Sequence, residues 1–312
     1  MKEVILLTGA TGFLGAHIGK LLCNNQYHLV ATRRAGSNLE TYGEVGKEIT
    51  WIDIEEENWI GQVITLKPST IIHTAWIGVA HSQRNDREVQ SKNILLLQDI
   101  LLIAKASQTQ RIIGLGSQAE YGYLDSVVAE SHTCKPDSAY GAVKTVCCEL
   151  LKNFCLNHGI QWYWLRVFSI FGEGESRQWL LPDFIQTMLE KKVSAMDFTG
   201  GEQQYAYLYI DDFIEAISRL VFNQQDKSGV YNLSAIELRP LKTLLEFVRD
   251  SVDPNFQLNF GVIPYRTGQS MLIAGDMELF KKTFGPLRVT PLEMSIRNTI
   301  NFYKSTVVNE SF

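Results

Sequence analysis

The sequence predicts an α/β protein: a Rossmann-type doubly wound parallel sheet with a smaller, discontinuous C-terminal α/β substrate domain. Three observations carry this expectation. Short β-type apolar runs alternate with longer helical patterns over the first two thirds of the 312 residues. A glycine-rich turn, "TGATGFLG", sits between the first run and the first helical pattern. After about residue 170 the alternation gives way to a loop, "FGEGESRQ", and to shorter elements.

The elements follow in order. Strands are expected at 3–8, 27–33, 48–54, 70–75, 110–116 and 161–168, with helices near 12–24, 57–67, 84–107 and 137–158. Parallel strands joined by right-handed crossovers are what such alternation produces. Further helices are expected near 179–191, 241–252 and 291–304, and "VYNLSA" (230–235) reads as a strand returning to the first sheet. The predicted division is residues 1–170 with about 205–235 for dinucleotide binding, and 171–204 with 236–312 for substrate. The second region is expected against the carboxyl ends of the strands, where ligands bind in this architecture.

Composition narrows the function. With 45% apolar and 20% charged residues the chain has ample material for a core, and its length exceeds the usual single core. A net charge of −5 argues against nucleic-acid binding, which usually needs a basic face. The longest apolar stretch, "NILLLQDILLIAKA", is interrupted by Gln98 and Asp99 and is too short to cross a bilayer. The N-terminal apolar run ends at Thr8, short of what a secretory signal needs. Five cysteines without CxxC pairs suggest reduced, mostly buried thiols and a cytoplasmic protein. No metal site is expected, because His73, His81 and His132 lack ligand spacing.

The glycine turn supplies the first chemistry. Gly9 can take the tight turn, Gly12 lets a pyrophosphate approach the backbone, and Gly15 lets helix and strand pack closely. The helix N-terminus that follows offers free N–H groups and a positive dipole end. At the end of the second strand, where an acidic residue would bind the NAD ribose, "HLVATRR" places Arg33 and Arg34. Two guanidiniums suit a 2′-phosphate, so NADP(H) is expected rather than NAD. Asp53, ending the third strand, suits an adenine amino group or a helix-entry cap.

Ser117 ends the fifth strand, and Tyr140 and Lys144 lie four apart on the next helix, hence on one face. The three converge on one carbonyl. Ser117 would hydrogen-bond its oxygen, and Tyr140, its pKa lowered by a neighbouring ammonium, would exchange a proton with it.

These segments, with "IIHTAW", Asn93, "LRVFSIFGEGE", "YLYIDDFIEA" and "PYRTGQSM", resemble the extended short-chain dehydrogenase/reductases that act on nucleotide-diphosphate sugars. The resemblance covers nearly the whole chain. It implies catalysis by Ser117, Tyr140 and Lys144. The cofactor set it implies is Thr8, Gly9, Thr11, Gly12, Phe13, Leu14, Gly15, Arg33, Arg34, Asp53, Ile54, Thr74, Ala75, Tyr140, Lys144 and Val167. Substrate contacts are implied at Trp76, Ser117, Gln118, Ser169, Trp179 and Arg266, the last on the pyrophosphate; Leu180 and Leu181 fit a core helix start equally well. Asp212 is read as a helix cap.

Departures from the family pattern select among its reactions. The sugar dehydratases carry adjacent Asp and Glu after the serine; here Gln118 and Ala119 stand there, and neither serves as acid or base. Ala119 also excludes the cysteine used by relatives that epimerise at C3 and C5. The frequent Arg-Asp before "YVDD" is Tyr205-Ala206, which makes Arg266 more important. Two activities remain: NADPH-dependent reduction of a 4-keto-6-deoxyhexose nucleotide, and 4-epimerisation with tightly held NAD. The arginine pair favours the reductase. A non-catalytic NADP-binding sensor is the remaining reading, and retention of Tyr140 argues against it. The apolar residues around "NILLLQDILLIAKA" and the Tyr140 helix predict a homodimer through four helices.

Overall fold

The computed structural model describes residues 2–23, 27–222 and 227–309. In chain order the elements are β1 (Val4–Thr8), α1 (Phe13–Cys23), β2 (His28–Arg33), β3 (Thr50–Asp53), α2 (Trp59–Leu66) and β4 (Thr70–His73). Then come α3 (Arg87–Ser107), β5 (Arg111–Ser117), α4 (Ala139–His158), β6 (Gln161–Val167), β7 (Ile170–Phe171) and α5 (Leu180–Glu190). The rest are β8 (Ala195–Phe198), β9 (Gln204–Ala206), β10 (Leu208–Tyr209), α6 (Ile210–Phe222), β11 (Gly229–Leu233), β12 (Leu238–Pro240), α7 (Leu241–Val252), β13 (Gln257–Phe260), β14 (Leu272–Ile273), α8 (Glu278–Phe284) and α9 (Leu292–Asn309).

Seven strands form the main sheet in the order β11-β6-β5-β4-β1-β2-β3. The pairs from β3 through β6 are all parallel. Strand order therefore reverses between β1 and β4. The carboxyl ends of those two strands flank the crevice where such folds take ligands.

Fully buried strands explain the near-continuous apolar runs, since helices cover both faces of the sheet. Leu6, Val30, Ile52, Ile71 and Ile112 from the strands join Val63, Leu97, Ile100, Cys147 and Leu151 from the helices in one core. From "QWYWLRVF", Trp162 and Trp164 enter that core, and Tyr163, Leu165, Val167 and Phe168 are buried as well. The two long helices have side-chain starts. Asp86 caps α3 by accepting from the amides of Glu88 and Val89, and Ser138 caps α4 by accepting from Gly141.

The chain divides into two compact units. The first comprises residues 1–122, 133–167 and 217–231, and the second 123–132, 168–216 and 232–312. The excursion at 123–132 has no counterpart in the sequence reading. It is tied within the second unit, where Val128 bridges Gly275 and Leu124 N–H donates to Ser270. That unit carries short pairings, parallel β8–β13 and a β12-β9-β14 sheet, around α5, α7 and α9. No helix among the described residues is long and apolar enough to cross a membrane.

Candidate active site

The glycine turn between β1 and α1 is built by close approach. Gly9 has φ +72°, and a Cβ there would lie 2.6 Å from the Ala75 amide nitrogen. A Cβ on Gly15 would lie 2.1 Å from the Gly9 carbonyl oxygen, so α1 rests directly on the turn. At Gly12 the nearest atom to such a Cβ is the Gly9 oxygen at 3.4 Å, and Thr11 and Gly12 are exposed. The open flank of Gly12 leaves room for a pyrophosphate to approach the backbone. The first-turn N–H groups of Phe13, Leu14 and Gly15 lie where a helix supplies no partner of its own.

Residues beneath the turn brace it. Thr8 Oγ1 lies 2.8 Å from His73 Nδ1, and Thr74 Oγ1 donates to the Thr8 carbonyl at 2.7 Å. Ala75 N–H donates to Thr8 Oγ1 at 3.4 Å. His73 is fully buried and its pKa is pushed down to about 3, first by desolvation and then by Lys144, so its ring stays neutral. From the other side Tyr42 donates its hydroxyl to the Ala10 carbonyl at 2.8 Å. Thr8, Thr74 and Ala75 thus hold the cradle's shape.

Arg33 and Arg34 stand at the end of β2, half-buried and exposed respectively. The Arg33 carbonyl accepts from Ile54 N–H at 2.9 Å, which fixes the strand end. Asp53 does not cap α2. Its Oδ1 accepts from Glu55 N–H at 3.0 Å in a local turn, and α2 starts six residues later with no side-chain cap. A carboxylate so close to its own chain prefers the nearest free amide.

The Ser117 hydroxyl is near enough to Tyr140 to favour the phenolate, against the burial that raises the phenol's pKa. Ser117 Oγ accepts from Ala119 N–H at 3.2 Å, which leaves the hydroxyl proton available as a donor. Val167, the last residue of β6, pairs in register beside Ser117. Lys144 donates from Nζ to the Leu115 carbonyl at 2.6 Å. The ammonium also sits 3.5 Å from the centre of the Trp76 ring. Burial pushes its pKa down to about 7, with Glu120 acting in the opposite direction.

Tyr140 corrects one expectation. Burial raises its pKa above the ordinary phenol value, and the cation that opposes this is Arg84, not Lys144. The Arg84 guanidinium carbon lies 4.7 Å from the Tyr140 ring centre, whereas Lys144 Nζ is 5.8 Å away. The lysine is drawn instead to the Leu115 carbonyl and the Trp76 face. Trp76 packs edge-on to Tyr140, and its indole N–H donates to Gln90 at 3.0 Å. Asn93 clasps the same loop through both backbone groups of Ile77.

Glu120 was not singled out by the sequence reading. Its Oε1 accepts from Ser117 N–H at 2.8 Å and from Trp164 Nε1 at 2.9 Å, and its Oε2 pairs with Arg166 at 2.9 Å. Gly116 makes room for this, since a Cβ there would lie 2.4 Å from Glu120 Oε1. The carboxylate therefore points into the interior. Gln118 and Ala119 fill the turn between it and Ser117, the first half-buried and the second buried.

Ser169, Trp179 and Arg266 belong to the second unit. Ser169 is half-buried after β6, and its carbonyl accepts from Leu208 N–H. Trp179 precedes α5 as a partly exposed residue without a side-chain cap bond, while Leu181, not Leu180, enters the core. Arg266 lies in an exposed loop, its amide donating to Gln269. Asp212 is a second correction. It lies inside the first turn of α6 and accepts from the Thr290 amide and hydroxyl, at 3.1 and 2.7 Å, so it holds the approach to α9. His81 and His132 are exposed, and no metal-type cluster of three His, Cys, Asp or Glu occurs among the described residues.

Comparisons with known proteins agree with this architecture. The chain is 25% identical over 301 residues to a UDP-glucose 4-epimerase of Rhizobium meliloti, covering 90% of this chain and 91% of the relative. It is 22% identical over 274 residues to a dTDP-6-deoxy-L-talose 4-dehydrogenase (NAD(+)) of Aggregatibacter actinomycetemcomitans, covering 87% and 98%. A UDP-glucuronic acid 4-epimerase from Bacillus cereus, solved with UDP-glucuronic acid and NAD, superposes with a TM-score of 0.84 at 22% identity, over 97% of this chain and 99% of that one. Residues 5–234 match the model of the NAD dependent epimerase/dehydratase family. With that match spanning most of its length, the glycine cradle and the Ser117–Tyr140 pair belong to a member of the NAD dependent epimerase/dehydratase family.

Proposed function

We propose that the protein reduces the C4 ketone of a nucleotide-diphosphate 4-keto-6-deoxyhexose, using NADPH. The observation that carries this choice is the Arg33–Arg34 pair at the end of β2, where an NAD-holding site offers a carboxylate. When bound, the dinucleotide supplies the hydride for C4. Everything else falls to side chains of this chain.

Burial keeps the Tyr140 phenol protonated at neutral pH, the form a reductase needs before each turnover. Ser117 holds the carbonyl oxygen beside that phenol, and Tyr140 gives its proton to the forming alkoxide. Lys144 steadies the nicotinamide ribose once its contacts with Leu115 and Trp76 are exchanged for it. Dehydration has no acid or base to use, since Glu120 is committed to Arg166 and Trp164 behind the serine. Trp76, Gln118, Ser169, Trp179 and Arg266 complete the substrate set in this reading. A relative named as a 4-dehydrogenase of a dTDP-6-deoxy sugar supports C4 redox chemistry on this scaffold.

A second reading, 4-epimerisation with retained NAD, draws support from the relatives named as 4-epimerases. The same three residues serve it. The protein is also proposed to be a homodimer through α3 and α4, which leave Leu95, Leu102, Val146 and Leu150 exposed. Incubation of the purified protein with NADPH and a panel of 4-keto-6-deoxy sugar nucleotides, with products read by NMR, separates the two reactions.

A further inference from the structure

Tyr140 is faced from four directions. Ser117 comes from the end of β5, Glu120 from the turn after it, Lys144 from its own helix, and Arg84 from the loop before α3. Only two of these groups carry positive charge. Lys144 is spent on the Leu115 carbonyl and the Trp76 face, and burial with Arg84's repulsion leaves it only partly charged near neutrality. Arg84 carries the other positive charge. A guanidinium keeps its charge at any pH the fold survives.

Arg84 is also held where it is needed. Its main-chain carbonyl accepts the Tyr140 amide at 2.8 Å, and its Nε donates to the Val79 carbonyl at 3.2 Å. The backbone bond ties the start of α4 to the arginine's own chain, and the side-chain bond fixes the guanidinium plane. The group then lies 4.7 Å from the ring centre. A cation at that distance favours the phenolate over the phenol.

We propose that Arg84 is a positioning residue for proton transfer at Tyr140, supplying the fixed positive charge against which the phenolate forms. In the step it assists, the Tyr140 O–H bond breaks, the proton goes to the C4 oxygen of the sugar, and the electron pair stays on the phenol oxygen. This rests on the reading of Tyr140 as the proton donor. Arg84 contacts the tyrosine rather than the reacting carbon.

The test is the pH dependence of NADPH-driven turnover, measured on the full-length protein with the 4-keto-6-deoxy sugar nucleotide that it reduces in the NMR panel. Reduction requires protonated Tyr140, so turnover falls as pH rises through the phenol's pKa in the loaded enzyme. Arg84→Met should move that basic limb upward by about one pH unit. It should lower kcat at neutral pH by about threefold to tenfold, with KM little changed. Arg84→Lys should bring the limb part of the way back. Should Arg84→Met not fold, Arg84→Gln, which keeps a donor without charge, carries the same comparison. A limb that stays in place, or one that Arg84→Lys restores no better than Arg84→Gln, overturns the proposal. Tyr140→Phe separates the two failures. If that variant turns over normally, the reading of Tyr140 is wrong; if it is inactive while Arg84→Met keeps the parent profile, only the role of Arg84 is wrong.

Discussion

Glu120 Oε2 and Arg166 Nε lie 2.9 Å apart, both side chains buried, directly behind the backbone amide of the proposed catalytic serine. Arg166 is in turn stacked 4.5 Å from the ring of Tyr121 and reaches Cys134 Sγ at 3.0 Å. The pair is closed off from water, so its charges depend on each other. Glu120→Ala leaves a buried guanidinium without its anion and should cost about 3–5 kcal/mol of stability. Urea denaturation checks this. A loss below about 1 kcal/mol would mean that water or another group compensates Arg166.

Ser117 and Glu120 are linked in the sequence as well as in the structure. "SQAE" has the Ser-x-x-Glu spacing of a capping box, and the structure uses it so: Ser117 accepts from the turn while Glu120 accepts from the Ser117 amide. That spacing was the available signal. Arg84 offered none, because its approach to Tyr140 depends on how the loop before α3 folds back on α4. The sheet was legible because buried strands and long amphipathic helices impose their own periods. The short strands of the second unit, two to four residues each, are too brief to show one. The excursion at 123–132 carries no change of composition to mark it.

Lys144 should make the protein less stable than its neutral counterpart. Its folded pKa is depressed to about 7, below the ordinary lysine value, so burial disfavours the charged form. The cost is fully present below about pH 7 and is relieved as pH rises toward the unfolded value, where both states are neutral. Lys144→Met should therefore raise Tm at pH 6, and the advantage should shrink by pH 9. Thermal melts at the two pH values test it. An advantage that grows with pH contradicts the assigned direction.

Arg33 and Arg34 should set the cofactor preference. Changing both to Ser should raise KM for NADPH at least tenfold while leaving KM for NADH nearly unchanged, since only the 2′-phosphate loses its charged partners. Steady-state kinetics with each cofactor decide the point. Equal use of both by the unaltered protein would remove the main support for the reductase.

The proposed dimer has a direct test in its exposed face. Leu95 and Leu102 lie seven apart on α3, and Val146 and Leu150 lie four apart on α4, each pair on one side of its helix. The protein should be a dimer by light scattering at micromolar concentration, and Leu102→Glu with Leu150→Glu should yield a folded monomer. A parent protein that is already monomeric refutes the proposed assembly.

The central claim is net reduction at C4 with Tyr140 as proton donor, and stoichiometry tests it most directly. NADPH oxidation, followed at its absorbance band, should match sugar converted one for one. Tyr140→Phe should slow that turnover by about 10²–10⁴-fold. Interconversion of C4 epimers by the purified protein, with no net oxidation of added NADPH, would contradict the account and establish the epimerase.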